Sequence, residues 1–292
     1  MSLADRSLNM LGRFAKSRWP QMVGGLLLAF FLIFFIIPLG YFLLISFFTY
    51  IQSGQYEVAL TLENYRRLIS DQYYLRILWA TFQLGIISAA VCFVAGYPLA
   101  YFLGRSRSKW RNLVLGIVVA SLFTNLVVRT YGWIVLLSEH GLLNNFLMDT
   151  SLLQKPLQLI YNMTGVVIGE AQVELPVFIM LVAGVIQMID PDLDYAARVM
   201  GADNLQAFFA VVWPLSLRGI IGGLSLVFAL SISSYITPNF LAGGKIIYAS
   251  LFINTLVTKT LNYPLAGALS AVLLLSSLGV VGTLSWVSKK YL

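Results

Sequence analysis

The sequence predicts an all-α polytopic membrane protein with about six transmembrane helices. Three observations predict it. The 292-residue chain is 59% hydrophobic and only 11% charged, where a soluble domain carries about 25% charged residues. It holds more apolar surface than its own interior takes up, so lipid is part of its solvent. Apolar runs near or above the ~20 residues needed to cross a bilayer recur along it. Its cations gather in short segments beside those runs. That distribution argues against nucleic acid as the partner of the +7 net charge.

The first run covers 24–50, behind a basic tail over 1–23 that carries Arg6, Arg13, Lys16 and Arg18. Its apolar core is longer than that of a secretory signal and no small-residue cleavage site follows, so it reads as a retained span. Residues 62–69, from Leu62 to Ile69, read as a short amphipathic helix that rests at the interface or caps an external mouth. The second run, 75–103, contains Cys92, the only cysteine, which reads as a buried inert thiol. Arg105, Arg107, Lys109 and Arg111 follow with no acid among them. The third run, 113–137, carries Arg129. His140 has no neighbouring His or Cys and reads as a polar loop residue, so no metal site is expected. A second short amphipathic helix is predicted over 141–147.

The fourth run, 163–188, contains Glu170, Glu174 and Pro176, the last of which disrupts local backbone pairing. The fifth, 219–235, is short. Gly222, Gly223, Ser225, Ser231, Ser233 and Ser234 make it narrow and partly polar, which suits either close helix packing or the lining of a cavity. The sixth covers 265–287 and leads into a tail over 288–292 with Lys289 and Lys290. Residues 24–287 form one transmembrane domain, with no low-complexity tract and no strong internal repeat.

Lysine and arginine set the orientation. With six spans, the basic tail, the loop from Arg105 to Arg111, the segment with Arg198 and Arg218, and the C-terminal tail all lie on one side. That side is the cytoplasm, so both termini are expected there, in a bacterial cytoplasmic membrane.

Between the fourth and fifth spans lies a polar, helix-forming island over 189–218 on that same side. Asp190 suits an N-cap and Pro191 the first helical position. Leu193, Ala196, Ala197 and Met200 fall on one face of a short helix. Gly201 suits the left-handed residue that ends it. Asp203 suits the cap of a second helix, which runs to Trp213 where Pro214 interrupts the pattern. By itself this is a helix on the membrane surface or a dock for a soluble partner.

The island resembles the EAA loop of ATP-binding-cassette importer permeases. Ala196-Ala197 match the two alanines, Gly201 the glycine and Pro214 the later proline. The family's usual Glu is Tyr195 here, with Asp194 before it and Arg198 a turn on. Other strings are similar to the spermidine/putrescine-type permeases. These are Gly96-Tyr97-Pro98, Val128-Arg129-Thr130-Tyr131-Gly132-Trp133 with Gly141-Leu142-Leu143-Asn144, Leu175-Pro176, and Thr237-Pro238 with Gly243-Gly244. The resemblance covers about 62–282. It implies a type I ABC importer permease (MetI-like) fold and an ATPase-coupling set of Asp194, Tyr195, Ala196, Ala197, Arg198, Gly201 and Pro214. It also implies two cytoplasmic ATPase subunits below, a second and non-identical permease beside, and a periplasmic or surface substrate-binding protein above. The chain lacks a Gly-x-x-x-x-Gly-Lys-Ser/Thr string, so ATP and Mg are expected in the partner ATPase and no cofactor in this chain.

Three ionisable residues lie within the apolar runs: Arg129, Glu170 and Glu174. Each needs a partner, water or protonation. Glu170 and Glu174 share a helix face, roughly 10 and 16 Å from the external end of the fourth span. Two readings stay open. In one, Arg129 bridges Glu170. In the other, the acids lie on the pathway of an amine, with Tyr131, Trp133 and Tyr235 adding aromatic faces for a cation. The function expected is translocation of a small organic solute, a polyamine or related amine, by alternating access. The chain is not itself an enzyme on this reading. An ion-coupled transporter or channel needs no ATPase and leaves the island without a purpose. A membrane-embedded enzyme lacks a catalytic constellation beyond Glu170 with Glu174.

Overall fold

The structure, a computed structural model, describes residues 19–52 and 54–291, with side chains over 22–52 and 54–288. Arg6, Arg13, Lys16 and Arg18 of the basic tail, and the side chains of Lys289 and Lys290, lie outside the described residues. Among the described residues five helices are long and apolar enough to cross a membrane, or six if one sharply bent pair is a single span. The predicted runs all fall on these helices, but the first, third and fifth differ in shape from the expectation.

Helix α1 runs over Trp19–Phe31, a π segment at Leu32–Ile36, and Ile37–Ile45. Leu26, Phe30 and Phe34 are exposed on it and take hydrocarbon as their solvent. It ends at Ile45 rather than near residue 50 because Asn64 competes for its carbonyls. The Asn64 amide donates to the Ser46 and Phe48 carbonyls, both at 2.9 Å, acceptors that a continuing helix would use itself. An antiparallel hairpin follows, β1 (Thr49–Gln52) and β2 (Gln55–Glu57), with Gly54 at φ +86° in its turn. Helix α2 (Glu63–Ser70) carries Asn64. Its Leu68 is fully buried in a cluster with Ile77, Leu265 and Leu269, so α2 packs into the protein rather than resting free at the interface.

Asp71 accepts from the Tyr73 amide at 2.8 Å and caps α3 (Gln72–Arg105). At 1.5 Å per residue its 34 residues span about 51 Å, beyond the ~30 Å hydrocarbon core. One end of α3 therefore stands clear of the lipid. The third run is not one rod. It is α4 (Trp110–Leu122) and α5 (Leu126–Leu137), and the chain bends by 102° between Trp110–Leu122 and the stretch Leu126–Asp149 that α5 opens. Asn125 makes the break by accepting from the Val127 and Val128 amides at 2.9 and 3.3 Å, starting a new helix. Helix α6 (Leu142–Asp149) follows, held by Asn144, whose amide donates to the carbonyls of Ser138 and Leu157.

Helix α7 (Met163–Gln187) and the short α8 (Pro191–Val199) lead into α9. Helix α9 is Asn204–Ala207, a π segment at Phe208–Val212, and Trp213–Ser233. The fifth span therefore begins well before residue 219, and Pro214 does not end the helix. A proline ring crowds the carbonyl four residues back. The wider π turn just ahead of Pro214 relieves that conflict, and the π segment of α1 stands in the same relation to Pro38. Beyond α9 come α10 (Ile236–Leu241) and α11 (Ala249–Thr258), too short to cross, and α12 (Tyr263–Tyr291).

Helices α3, α7 and α9 pack on one another as the core. Phe178 of α7 is fully buried at their meeting point. A Cβ at Gly96 of α3 or Gly223 of α9 would lie 2.7 or 2.8 Å from the Phe178 ring. Those two glycines let three helix backbones close around one aromatic side chain.

Candidate coupling surface and intramembrane polar cluster

The caps of α8 form as its residues dictate. Asp190 accepts from the Asp192 amide at 2.9 Å, Pro191 is the first helical residue, and Gly201 takes φ +96°. Asp203 and Gln206 form a reciprocal capping box at 2.7 and 3.0 Å that starts α9. Of Leu193, Ala196, Ala197 and Met200, which spacing puts on one face, only Ala197 is buried, and α8 as a whole packs on the π segment of α9. Met200 is 83% and Val199 87% exposed, and Leu193, Tyr195, Ala196 and Arg198 are exposed with them. Asp194 faces inward. Its Oδ2 lies 3.1 Å from Arg105 Nη2 at the end of α3, and Arg105 Nη1 donates to the Ile189 carbonyl at 3.0 Å. Pro214 is inside α9, apart from α8.

Within the membrane the polar residues sort into three groups. Arg129 does not bridge Glu170, which corrects the first of the two readings. Its guanidinium donates to the Gln172 carbonyl at 2.8 Å, the Gln172 side chain at 3.2 Å and the Ser121 carbonyl at 3.1 Å. Those acceptors lie on α7 and across the α4–α5 break, so one cation ties the bent third run to its neighbour. The Trp133 indole N–H donates to the same Gln172 oxygen at 3.3 Å, which fixes the ring half-buried beside α7.

Glu170 is 1% exposed. Its Oε2 accepts from Ser234 Oγ at 3.0 Å, and its Oε1 has no hydrogen-bond partner among the described residues. Glu174, one turn on, is also buried, within the field of Arg129 but in no salt bridge with it. The third group is an open groove of about 570 Å³ beside α9, α11 and α12, lined by Tyr235, Ser233, Ser250 and Asn254. Tyr235 donates to Asn254 at 3.5 Å, and Ser250 Oγ donates to the Ser234 carbonyl at 2.5 Å. Ser234 is thus shared: its carbonyl accepts from Ser250 of the groove wall and its hydroxyl donates to Glu170. Tyr131 stands elsewhere, exposed and packed on Phe240 with ring centroids 5.0 Å apart. Cys92 is buried, its thiol on the Ala171 carbonyl at 3.4 Å.

Sequence reasoning passed over Arg105 and Ser234 as partners, and Gln172 and Asn254 altogether. Gln172 carried a signal. An amide in an apolar run needs partners as much as a charge does, and its position two residues from each acid turns it toward a different neighbour.

The family model of the binding-protein-dependent transport system inner membrane component matches residues 96–286. The spermidine/putrescine transport system permease protein PotB of Haemophilus influenzae is 30% identical over 255 residues, covering 87% of this chain and 89% of that protein. PotB of Escherichia coli is 30% identical over 247 residues, covering 85% and 89%. A solved bacterial ABC transporter involved in the import of the acidic polysaccharide alginate superimposes with a TM-score of 0.76 at 19% identity, over 96% of this chain and 99% of that one.

Proposed function

The chain belongs to the family of binding-protein-dependent transport system inner membrane components, and from that premise we propose how its parts divide the work. It is a membrane permease subunit of an importer of that class. Helix α8 is the element that meets a cytoplasmic ATPase, and the observation that carries this is its exposed apolar rim. Leu193, Tyr195, Val199 and Met200 project from a short capped helix set between two spanning helices. Such a rim is costly in water and has value as a dock. The mechanical link follows from connectivity. Helix α8 is joined to α7 and α9 by the chain and to α3 by the Arg105–Asp194 pair, so a push on it reaches all three core helices.

In this reading two ATPase subunits hold the ATP and Mg, a second, non-identical permease completes the pathway, and an external binding protein delivers solute. Both termini are cytoplasmic. The solute is a polyamine or related amine. The kinship with two spermidine/putrescine permeases over most of the chain supports that, as do two buried acids in one helix. The groove at Tyr235 and Asn254 supplies the contact surface, and Glu170, one residue behind its wall, supplies negative potential. Glu174, Arg129, Trp133 and Tyr131 act around the same pathway.

The test is reconstitution of the assembled complex with its binding protein. ATP hydrolysis stimulated by spermidine or putrescine, with uptake of the labelled amine, is expected. Stimulation by a neutral solute alone would remove the amine assignment. Purification of an active transporter without any ATPase subunit would remove the role of α8.

A further inference from the structure

Beside the coupling helix lies a cavity of about 820 Å³, between the α3–α4 loop and α8. Arg105, Arg107, Lys109, Arg111 and Arg198 line it against a single acid, Asp194. That acid already faces Arg105, and Arg111 spends one N–H on the Leu103 carbonyl at 2.8 Å. The side chains of Arg107, Lys109 and Arg198 are exposed and make no hydrogen bond or ion pair among the described residues. The excess of positive charge is therefore open to a ligand. Next to the cavity, α4 turns Trp110, Leu113 and Ile117 outward on one exposed face. An indole at the end of a span marks the level of the lipid headgroups, and the face below it is apolar.

We propose that this cavity binds the phosphate of an anionic phospholipid, whose acyl chains lie along the Trp110–Leu113–Ile117 face of α4. Guanidinium groups bind phosphate through paired, charge-assisted hydrogen bonds, and basic pockets at the headgroup level are suited to such lipids. A free phosphate would satisfy the cations but leave the adjoining apolar face unused; a phospholipid satisfies both. Because the cavity wall includes Arg107 of the loop and Arg198 of α8, a bound headgroup would join these two elements and hold α8 in register with the end of α3. That consequence for coupling rests on the assignment of α8 to the ATPase; lipid binding itself does not.

The experiment uses the assembled complex in nanodiscs of phosphatidylcholine with or without phosphatidylglycerol, and native mass spectrometry of lipid retained after mild detergent extraction. The comparison is wild type with the double variant Arg107→Glu, Lys109→Glu. Wild type should retain phosphatidylglycerol over phosphatidylcholine, and the variant should lose roughly tenfold or more of that preference, the weight of two cations at an anionic surface. Solute-stimulated hydrolysis should rise with phosphatidylglycerol in wild type only. Equal retention in both proteins, or no preference in wild type, overturns the proposal. Displacement of the lipid by millimolar glycerol phosphate would make the site one for soluble phosphates and overturn the lipid assignment. Loss of lipid preference with hydrolysis unchanged keeps the site and removes its link to α8.

Discussion

Arg105 and Asp194 face one another at 3.1 Å, joining the end of a 34-residue helix to a nine-residue one across 89 positions of sequence. Their side chains are 13% and 20% exposed. Asp194 therefore serves within the chain, while Tyr195 beside it faces outward. Asp194→Asn and Arg105→Gln should each lower the thermal stability of the complex and weaken solute-stimulated hydrolysis. The double variant should be less damaged than the sum of the two, by a coupling of about 0.5–3 kcal/mol. Strict additivity in the thermal midpoints would show that the pair does not hold α8.

Ala196 and Ala197 are neighbours with opposite surroundings, one exposed and one buried. Ala196→Trp should leave insertion and thermal stability unchanged and abolish stimulated hydrolysis, since the ring would stand on the face proposed to meet the ATPase. Ala197→Trp overpacks the contact with α9 and should cost about 1–3 kcal/mol of stability. A fully coupled Ala196→Trp transporter would move the dock away from this face.

Gln172 gives two acceptors to Arg129, its carbonyl and its side-chain oxygen, and shares the second with Trp133. Gln172→Leu leaves the indole N–H and part of the guanidinium without partners, at about 1–3 kcal/mol for the stranded groups, and should loosen α5 from α7. Glu174→Gln, by contrast, should leave assembly intact, because Arg129 keeps its Gln172 and Ser121 acceptors. Yield of intact complex separates the two. Uptake of the amine by Glu174→Gln then reports on the pathway: a loss at normal yield supports a role there, and full uptake removes it.

Phe178 fills the space left open by Gly96 and Gly223. Gly223→Ala places a methyl 2.8 Å from that ring and should destabilise by about 1–3 kcal/mol. Phe178→Leu in the same chain should recover part of the loss. A silent Gly223→Ala would mean that α9 does not sit this close to α7.

The apolar runs and the caps of the island are legible in the sequence because each rests on residues close together in the chain. Asp190, Gly201 and Asp203 act on backbone within three residues. What sequence could not supply was the choice of long-range partner. Arg129 had Glu170 and Glu174 as charged candidates, yet it meets Gln172 and Ser121, because placement on a bent helix decides reach before charge does. Ala197 and Met200 share a helical face by spacing, but α8 is so short that only the residue against α9 is covered. The hairpin at residues 49–57 and the break at Asn125 both depend on side-chain amides acting as caps or competitors within runs that hydropathy reads as uniform.

The π segment at Phe208–Val212 has a consequence for orientation along α9. An α-helix advances about 100° per residue, and a π turn takes up roughly one residue more. The segment therefore works as a phase shifter. The stretch that starts at Asp203 is set by the island and by Ala207, buried beneath it, whereas the stretch after Trp213 is set by Gly223 against Phe178. A single α-helical register would have to satisfy both faces at once. The extra residue uncouples the two, so the cytoplasmic and intramembrane halves of one helix are aimed independently.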